Sequence, residues 1–175
     1  MKLKKLPELK TERLVLRAFL DTDRENVLSI LYNEQVKKTY MIPDFASPEE
    51  AQRMFERFKE LSENLDRFVY AVCKDGQVVG FLNEVGKTET SMEVGYAIHP
   101  EHQKRGYATE ALKACIGELF RMGYTAVEAG FFVENRASRR VMEKSGMHPS
   151  GKTDSIPYRG EVHACEYFIV ENRFS

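Results

Sequence analysis

Apolar and polar residues recur along this chain with two periods, and each switch between them outlines an element. Strict alternation in Thr11-Glu12-Arg13-Leu14-Val15-Leu16-Arg17 groups Leu14 with Leu16 and predicts a first strand. Asp21-Thr22-Asp23 offers caps to a short helix carrying Val27, Leu28 and Leu31. Residues 33–45 have no clean period and read as a loop with bulky side chains, Tyr40, Met41 and Phe45. Ser47-Pro48-Glu49-Glu50 predicts a helix start: Ser47 as N-cap, Pro48 at the first helical position, Glu50 closing a capping box. Ala51, Met54, Phe55, Phe58 and Leu61 then mark one buried face. Residues 68–73 and 78–82 flank Asp75-Gly76, a pair that accepts positive backbone angles, so they predict a hairpin.

Residues 92–98 form another predicted strand. The turn His99-Pro100-Glu101 follows, then a long helix whose Ala108, Ala111, Leu112, Cys115, Ile116, Leu119 and Phe120 share one stripe up to Gly123. Residues 126–132 read as a strand, and Asn135 as the cap of a helix through Ala137, Val141 and Met142 to Gly146. Residues 147–151 and 164–170 complete the set, joined by a loop containing Pro157, Tyr158 and Gly160. The pattern predicts about seven strands and about four helices. They form one α/β domain over residues 1–175, its mixed sheet antiparallel early and then closed by a strand–helix–strand crossover.

Composition narrows the class. With 175 residues, 42% apolar and 30% charged, the chain is long enough for a sizeable core. A net charge of −1 argues against a nucleic-acid partner. No apolar run has the length of a membrane span, and the basic residues 1–7 lack the apolar centre of a signal peptide. Cys73, Cys115 and Cys165 each sit in an apolar pattern, which points to buried thiols and a cytoplasmic protein. His102 and His148 have no ligand spacing with cysteines or acids, so no metal is expected.

The chemistry centres on Gln103-Lys104-Arg105-Gly106-Tyr107-Ala108. A strand, a tight turn and a helix start expose free backbone N–H groups at the positive end of a helix dipole, a site for phosphate. Gly106 lets a ligand approach the backbone, Ala108 does not block it, Gln103 can fix the turn, and Lys104 and Arg105 add positive charge. A generic nucleotide site fits less well, because there is no second glycine and no Lys-Ser/Thr ending.

The stretch resembles the acyl-CoA-binding motif of the GNAT superfamily of N-acetyltransferases, in which Gln or Arg is followed by two residues, Gly, one residue, and Gly or Ala. Thr11 to Arg17, Glu93-Val94-Gly95-Tyr96, Gly106 to Ala111, Asn135-Arg136-Ala137-Ser138 and Met142 to Met147 resemble the branch of ribosomal-protein N-terminal (alanine/serine) acetyltransferases. The resemblance implies a centrally splayed sheet with acetyl-CoA as co-substrate. It places the backbone of Ala97, Ile98 and His99 along the pantetheine arm, and the N–H groups from Gln103 through Ala108, Lys104, Arg105, Gly106 and Tyr107 included, around the pyrophosphate. Gly95 suits a bulge in the splayed strand.

Asn135 would touch the CoA arm and Ser138 would lie near the thioester sulfur. Many family members carry a tyrosine where this chain has Met142, so Ser138 or water becomes the acid that protonates the thiolate. Alternation groups Glu93 with Gly95 and Ala97, and a partly buried Glu93 is the leading base, ahead of Glu84 and His163. Tyr40, Met41, Phe45 and Tyr158 would border the acceptor, with Asp44, Asp154 and Glu161 able to attract a cation. The expected acceptor is the N-terminal amine of a protein such as a ribosomal protein, or else a small amine such as a polyamine, amino acid or drug. A non-catalytic acyl-CoA-binding module is the reading Met142 would favour, and a homodimer is left open.

Overall fold

In the computed structural model, which describes residues 6–64 and 67–173, most of the alternating segments become strands and the three-and-four segments helices. The chain runs through β1 (Leu9–Lys10), β2 (Val15–Arg17), α1 (Arg24–Leu31), α2 (Glu34–Lys37), α3 (Pro48–Glu63), β3 (Val69–Lys74), β4 (Gln77–Lys87) and β5 (Ser91–Ile98). It continues through α4 (Tyr107–Arg121), β6 (Ala126–Phe132), α5 (Arg136–Lys144), β7 (His148–Tyr158) and β8 (Glu161–Glu171). The residues 1–5 of the basic N-terminal stretch lie outside the described residues.

Among the described residues there are eight strands and five α-helices, one more of each than expected, and both additions have local causes. Of the first predicted strand, residues 11–17, only β2 is strand: Thr11 N–H donates to the Leu14 carbonyl at 2.9 Å, and residues 11–14 turn the chain back from the extra strand β1, which precedes the predicted one. Within the predicted loop 33–45, the Asn33 side chain accepts from Gln35 N and Val36 N and starts α2, a helix too short to show a period. At α3 the helix start is correct but the cap is not. Ser47 makes no side-chain cap, and Glu50 instead accepts from Ala46 N–H at 2.8 Å.

The predicted loop near Tyr158 is mostly strand. β7 and β8 form a long hairpin closed by Arg159-Gly160, with φ of 50° and 79°. β7 lies at the edge of the sheet, so Pro149 and Pro157 are tolerated there, and its exposed residues give no alternating signal.

The sheet order is β1-β2-β3-β4-β5-β6-β8-β7. One face packs on α4 and α5 through Leu112, Cys115, Leu119, Met92, Val94, Val127 and Phe168. The other packs on α1 and α3 through Phe19, Ile30, Phe55, Phe81 and Ala97. Each fully buried side chain of this size stabilises the fold by about 1.5–3 kcal/mol.

The join in the middle is brief. β5 and β6 run parallel and pair only at Ser91–Ala126, Met92–Val127 and Glu93–Glu128, after which they part. The bulge expected at Gly95 is on the neighbouring strand, between Glu84 and Gly86 of β4. Gly95 itself pairs with Asn83, and a Cβ there would lie 3.3 Å from the Tyr40 ring and 3.2 Å from Val85, so glycine makes room for Tyr40.

Candidate active site

The gap between β5 and β6 opens into a cleft of about 820 Å³ that runs from the start of α4, past the start of α5, to the segment after α2. At its first end the turn before α4 is built as its sequence suggested. Gln103 Nε2 donates to the Ile98 carbonyl at 2.9 Å and ties the turn to β5. Lys104 and Gly106 take left-handed angles, φ 59° and 81°, and Gly106 occupies the N-cap position of α4 with no side-chain cap. The first turn of α4 thus leaves its N–H groups, those of Tyr107, Ala108 and Thr109, without intrahelical partners. Lys104, Arg140 and Lys144 bring positive charge to the same cleft. Donors and charge together suit a diphosphate. The His102 imidazole also lines this end, and burial and His99 lower its pKa.

Arg13, distant in sequence, braces this turn. Arg13 Nη1 donates to the Arg105 carbonyl at 2.8 Å, and its Nε and backbone N–H both bond the Glu110 carboxylate at 2.8 Å. Thr11 Oγ1 donates to the same carboxylate at 2.6 Å. The Arg13 guanidinium also lies over the Tyr107 ring, 4.8 Å from its centre. Burial opposes ionisation of Glu110, but the bonds from Thr11 and Arg13 outweigh it and lower its pKa. The Thr-Glu-Arg sequence that looked like a strand is therefore a clamp on the helix start.

Along β5, the period of two decides which backbone groups face the gap. His99 N–H donates to the Val79 carbonyl at 2.8 Å, so His99 and Ala97 turn their hydrogen-bonding groups toward β4. Tyr96 and Ile98 turn theirs toward the gap. The Ile98 carbonyl is already held by Gln103, which leaves the Ile98 N–H and both Tyr96 groups facing it. Of the three residues expected along the pantetheine arm, only Ile98 thus offers backbone, and Tyr96 takes the place of Ala97 and His99. The His99 ring accepts from Glu101 N–H and contacts Ser29 Oγ at 3.1 Å.

On the opposite wall Asn135 caps α5 by accepting from Ser138 N–H at 3.1 Å. Ser138 Oγ meets the Tyr96 hydroxyl at 2.8 Å, and the same hydroxyl reaches the Ser138 carbonyl at 3.2 Å. Burial raises the Tyr96 pKa, so this phenol stays protonated. Met142 is fully buried in the core and does not line the cleft.

Glu93, Gly95 and Ala97 do share a face, that of α1 and α3. Glu93 lines the cleft with its side chain 24% exposed, 3.6 Å from Lys152 Nζ. Burial raises its pKa, Lys152 opposes that, and Glu128 adds to it. The weaker alternatives are engaged elsewhere. Glu84 is buried against Arg67 Nη1 at 3.0 Å and Phe68 N–H at 3.2 Å. His163 stacks on Phe132 with ring centres 4.4 Å apart and bonds Glu134 at 2.7 Å, which raises its pKa.

At the other end of the cleft, after α2, Tyr40 and the half-exposed Met41 line it, and the Tyr40 hydroxyl donates to Asn83 Oδ1 at 2.5 Å. Phe45 sits beside Tyr32, ring centres 5.6 Å apart, away from the cleft lining. Tyr158 is a correction. Its hydroxyl bonds the Lys37 carbonyl at 2.7 Å and the Ile42 backbone at 3.0 and 3.2 Å, so it joins the two walls instead of facing the cleft. Arg159 reinforces this junction through Glu34 at 3.0 Å and Asp44 at 3.4 Å, which leaves Asp44 charge-paired. Asp154 accepts from Ser155 N–H, and Glu161 begins β8 at the hairpin tip. Among the described residues no group of three or more His, Cys, Asp or Glu is placed to hold a metal, and no helix is long and apolar enough to cross a membrane.

Known proteins are similar to this chain in sequence and fold. A family model described as an acetyltransferase (GNAT) domain matches residues 13–148. The uncharacterized N-acetyltransferase YnaD of Bacillus subtilis (strain 168) is 31% identical over 165 residues, covering 91% of this chain and 94% of its own. A crystal structure of a GNAT-family acetyltransferase from Bacillus anthracis superposes with a TM-score of 0.82 at 25% identity, covering 94% of this chain and 98% of that one. RimL, a ribosomal L7/L12 alpha-N-protein acetyltransferase in complex with coenzyme A, superposes with a TM-score of 0.83 at 16% identity over 94% of this chain and 98% of its own.

Proposed function

The chain belongs to the GNAT family of acetyltransferases, and we propose that it transfers the acetyl group of acetyl-CoA to a primary amine by direct attack, with donor and acceptor bound together. One observation carries the reading. The free edge of β5 leads straight into the uncapped start of α4 within a single cleft. An extended pantetheine arm fits the Tyr96 and Ile98 backbone, and a diphosphate fits the N–H groups from Lys104 to Thr109. Asn135 and Ser138 border the arm from α5.

Glu93 takes the proton from the amine, directly or through a water, and its raised pKa suits that task. The Ile98 N–H is the donor for the developing oxyanion. Ser138 gives its proton to the departing thiolate, and the Tyr96 hydroxyl can replace it along the 2.8 Å contact. Cys115 is fully buried in the core, away from the cleft, which removes it as an acyl carrier.

The sequence motifs favour a protein N-terminus, a ribosomal protein foremost. The second reading is a small amine, with the end of β7 and the segment after α2 joined at Tyr158 beside the proposed acceptor end. Thiol release from acetyl-CoA, measured with alanine- and serine-initiated peptides and with spermidine and free amino acids, separates the two. A preference for peptides of at least about tenfold in kcat/KM, equal to 1.4 kcal/mol, supports the first. The reverse order supports the second, and no turnover with any acceptor overturns both.

A further inference from the structure

The base proposed above has a neighbour that neither the family pattern nor its own strand supplies. In the hairpin of β7 and β8, Pro149 faces Phe168 and Thr153 faces Glu166, so residues 150–152 stand opposite Tyr167 alone. Gly151 turns this bulge with φ 83°, and Ser150 Oγ fixes it by donating to the Tyr167 carbonyl at 3.0 Å and accepting from Lys152 N–H at 3.2 Å. A bulge of this kind re-aims a side chain.

Lys152 is the side chain re-aimed. It reaches from the edge strand across three others. Its Nζ lies 3.9 Å from the centre of the Tyr167 ring on β8, 2.7 Å from Glu128 on β6 and 3.6 Å from Glu93 on β5. The ring beneath it is itself seated on Gly130, where a Cβ would come within 2.8 Å of Tyr167.

Glu93 and Glu128 are direct partners across the parallel pair, at the last position before the strands part. The Glu128 carboxylate so placed adds to the burial that raises the Glu93 pKa. The titratable and charged groups around Glu93 are Glu128 from β6, Lys152 from β7 and Tyr167 from β8. On the β4 side the residue opposite is Gly86, and the Glu84 carboxylate is committed to Arg67, Lys87 and the Phe68 N–H. Tyr40, further along the cleft, bonds Asn83. Lys152 is therefore the cation among these neighbours.

We propose that Lys152 is a positioning residue that keeps Glu93 ionised and ready to accept a proton, by holding its ammonium between Glu93 and Glu128 over Tyr167. The proposal rests on the reading of Glu93 as the base, and its test separates the two. The side-chain carboxyl carbon of Glu93, assigned by its loss in Glu93→Gln, is titrated by carbon-13 NMR in the free protein. In Lys152→Met the midpoint rises by about one to two pH units, as expected for removing an opposite charge at this distance. Lys152→Arg keeps it within about half a unit, and adding Glu128→Gln to Lys152→Met brings it back down by about one. An unmoved midpoint in a Lys152→Met protein whose amide spectrum is otherwise preserved overturns the proposal. Thiol release by Glu93→Gln, assayed with the same peptides and spermidine, tests the premise by itself. Loss of turnover supports it, and wild-type turnover removes Glu93 as base even where the titration behaves as stated.

Discussion

Two helix starts face the same cleft and treat their free N–H groups in opposite ways. At α5 Asn135 folds over its own helix and satisfies the Ser138 N–H. At α4 the corresponding position is Gly106, which has no side chain to do so, and the brace comes from Arg13 and Thr11 gripping Glu110 from outside. One start is finished by the chain itself. The other is held open in shape but left unfinished in hydrogen bonding. What sets the α4 start apart is the glycine at its N-cap together with the cleft it opens into, a pairing that suits the diphosphate proposed there.

The comparison can be broken most sharply at Gly106. Valine there needs φ of 81° from a branched side chain, and its Cβ would meet Arg13 Nη2 at 3.2 Å. Gly106→Val should weaken CoA binding on the order of 100-fold by calorimetric titration, because the donors lose their alignment. Asn135→Ala should act on stability first. Losing the cap costs about 1 kcal/mol, seen as a fall in Tm of about 2–4 °C.

The smallest effect belongs to the external brace. The Glu110 pKa is lowered in the folded protein, so its contribution is present above the ordinary carboxylate range and is lost as pH falls through the folded value. The stability difference between wild type and Glu110→Gln, from urea unfolding, should therefore be largest near pH 7 and shrink toward pH 3, reaching about 0.5 kcal/mol because the pair with Arg13 is partly exposed.

What the sequence disclosed follows from the same contrast between local and distant causes. β6 was found with its bounds intact because a buried strand alternates. The turn before α4 was found because glycine and its neighbours announce a backbone need. β7 is legible only over its first residues, within the predicted strand 147–151, because an exposed edge strand has no core face to impose a pattern on the rest. Tyr158 was assigned to the acceptor, whereas its partners lie 116 to 121 positions away, a separation no window spans. The contact between Tyr96 and Ser138 was missed for the same reason. Alternation tells which face Tyr96 occupies, not what waits on the far side of the gap. Lys152 was invisible because its role depends on a bulge and on three other strands.

The brief join between β5 and β6 has one more consequence. Three paired positions are all the backbone pairing between the five-stranded and three-stranded halves of the sheet before they diverge. Any extended molecule that fills the wedge beyond Glu93 and bonds Tyr96 and Ile98 acts as mortar as well as cargo, because it supplies the seam that the chain leaves unsewn. Each release of such a guest would return the two halves to their weakest union. Occupancy of the cleft should therefore add to the cohesion that the α4 and α5 core already gives the two halves.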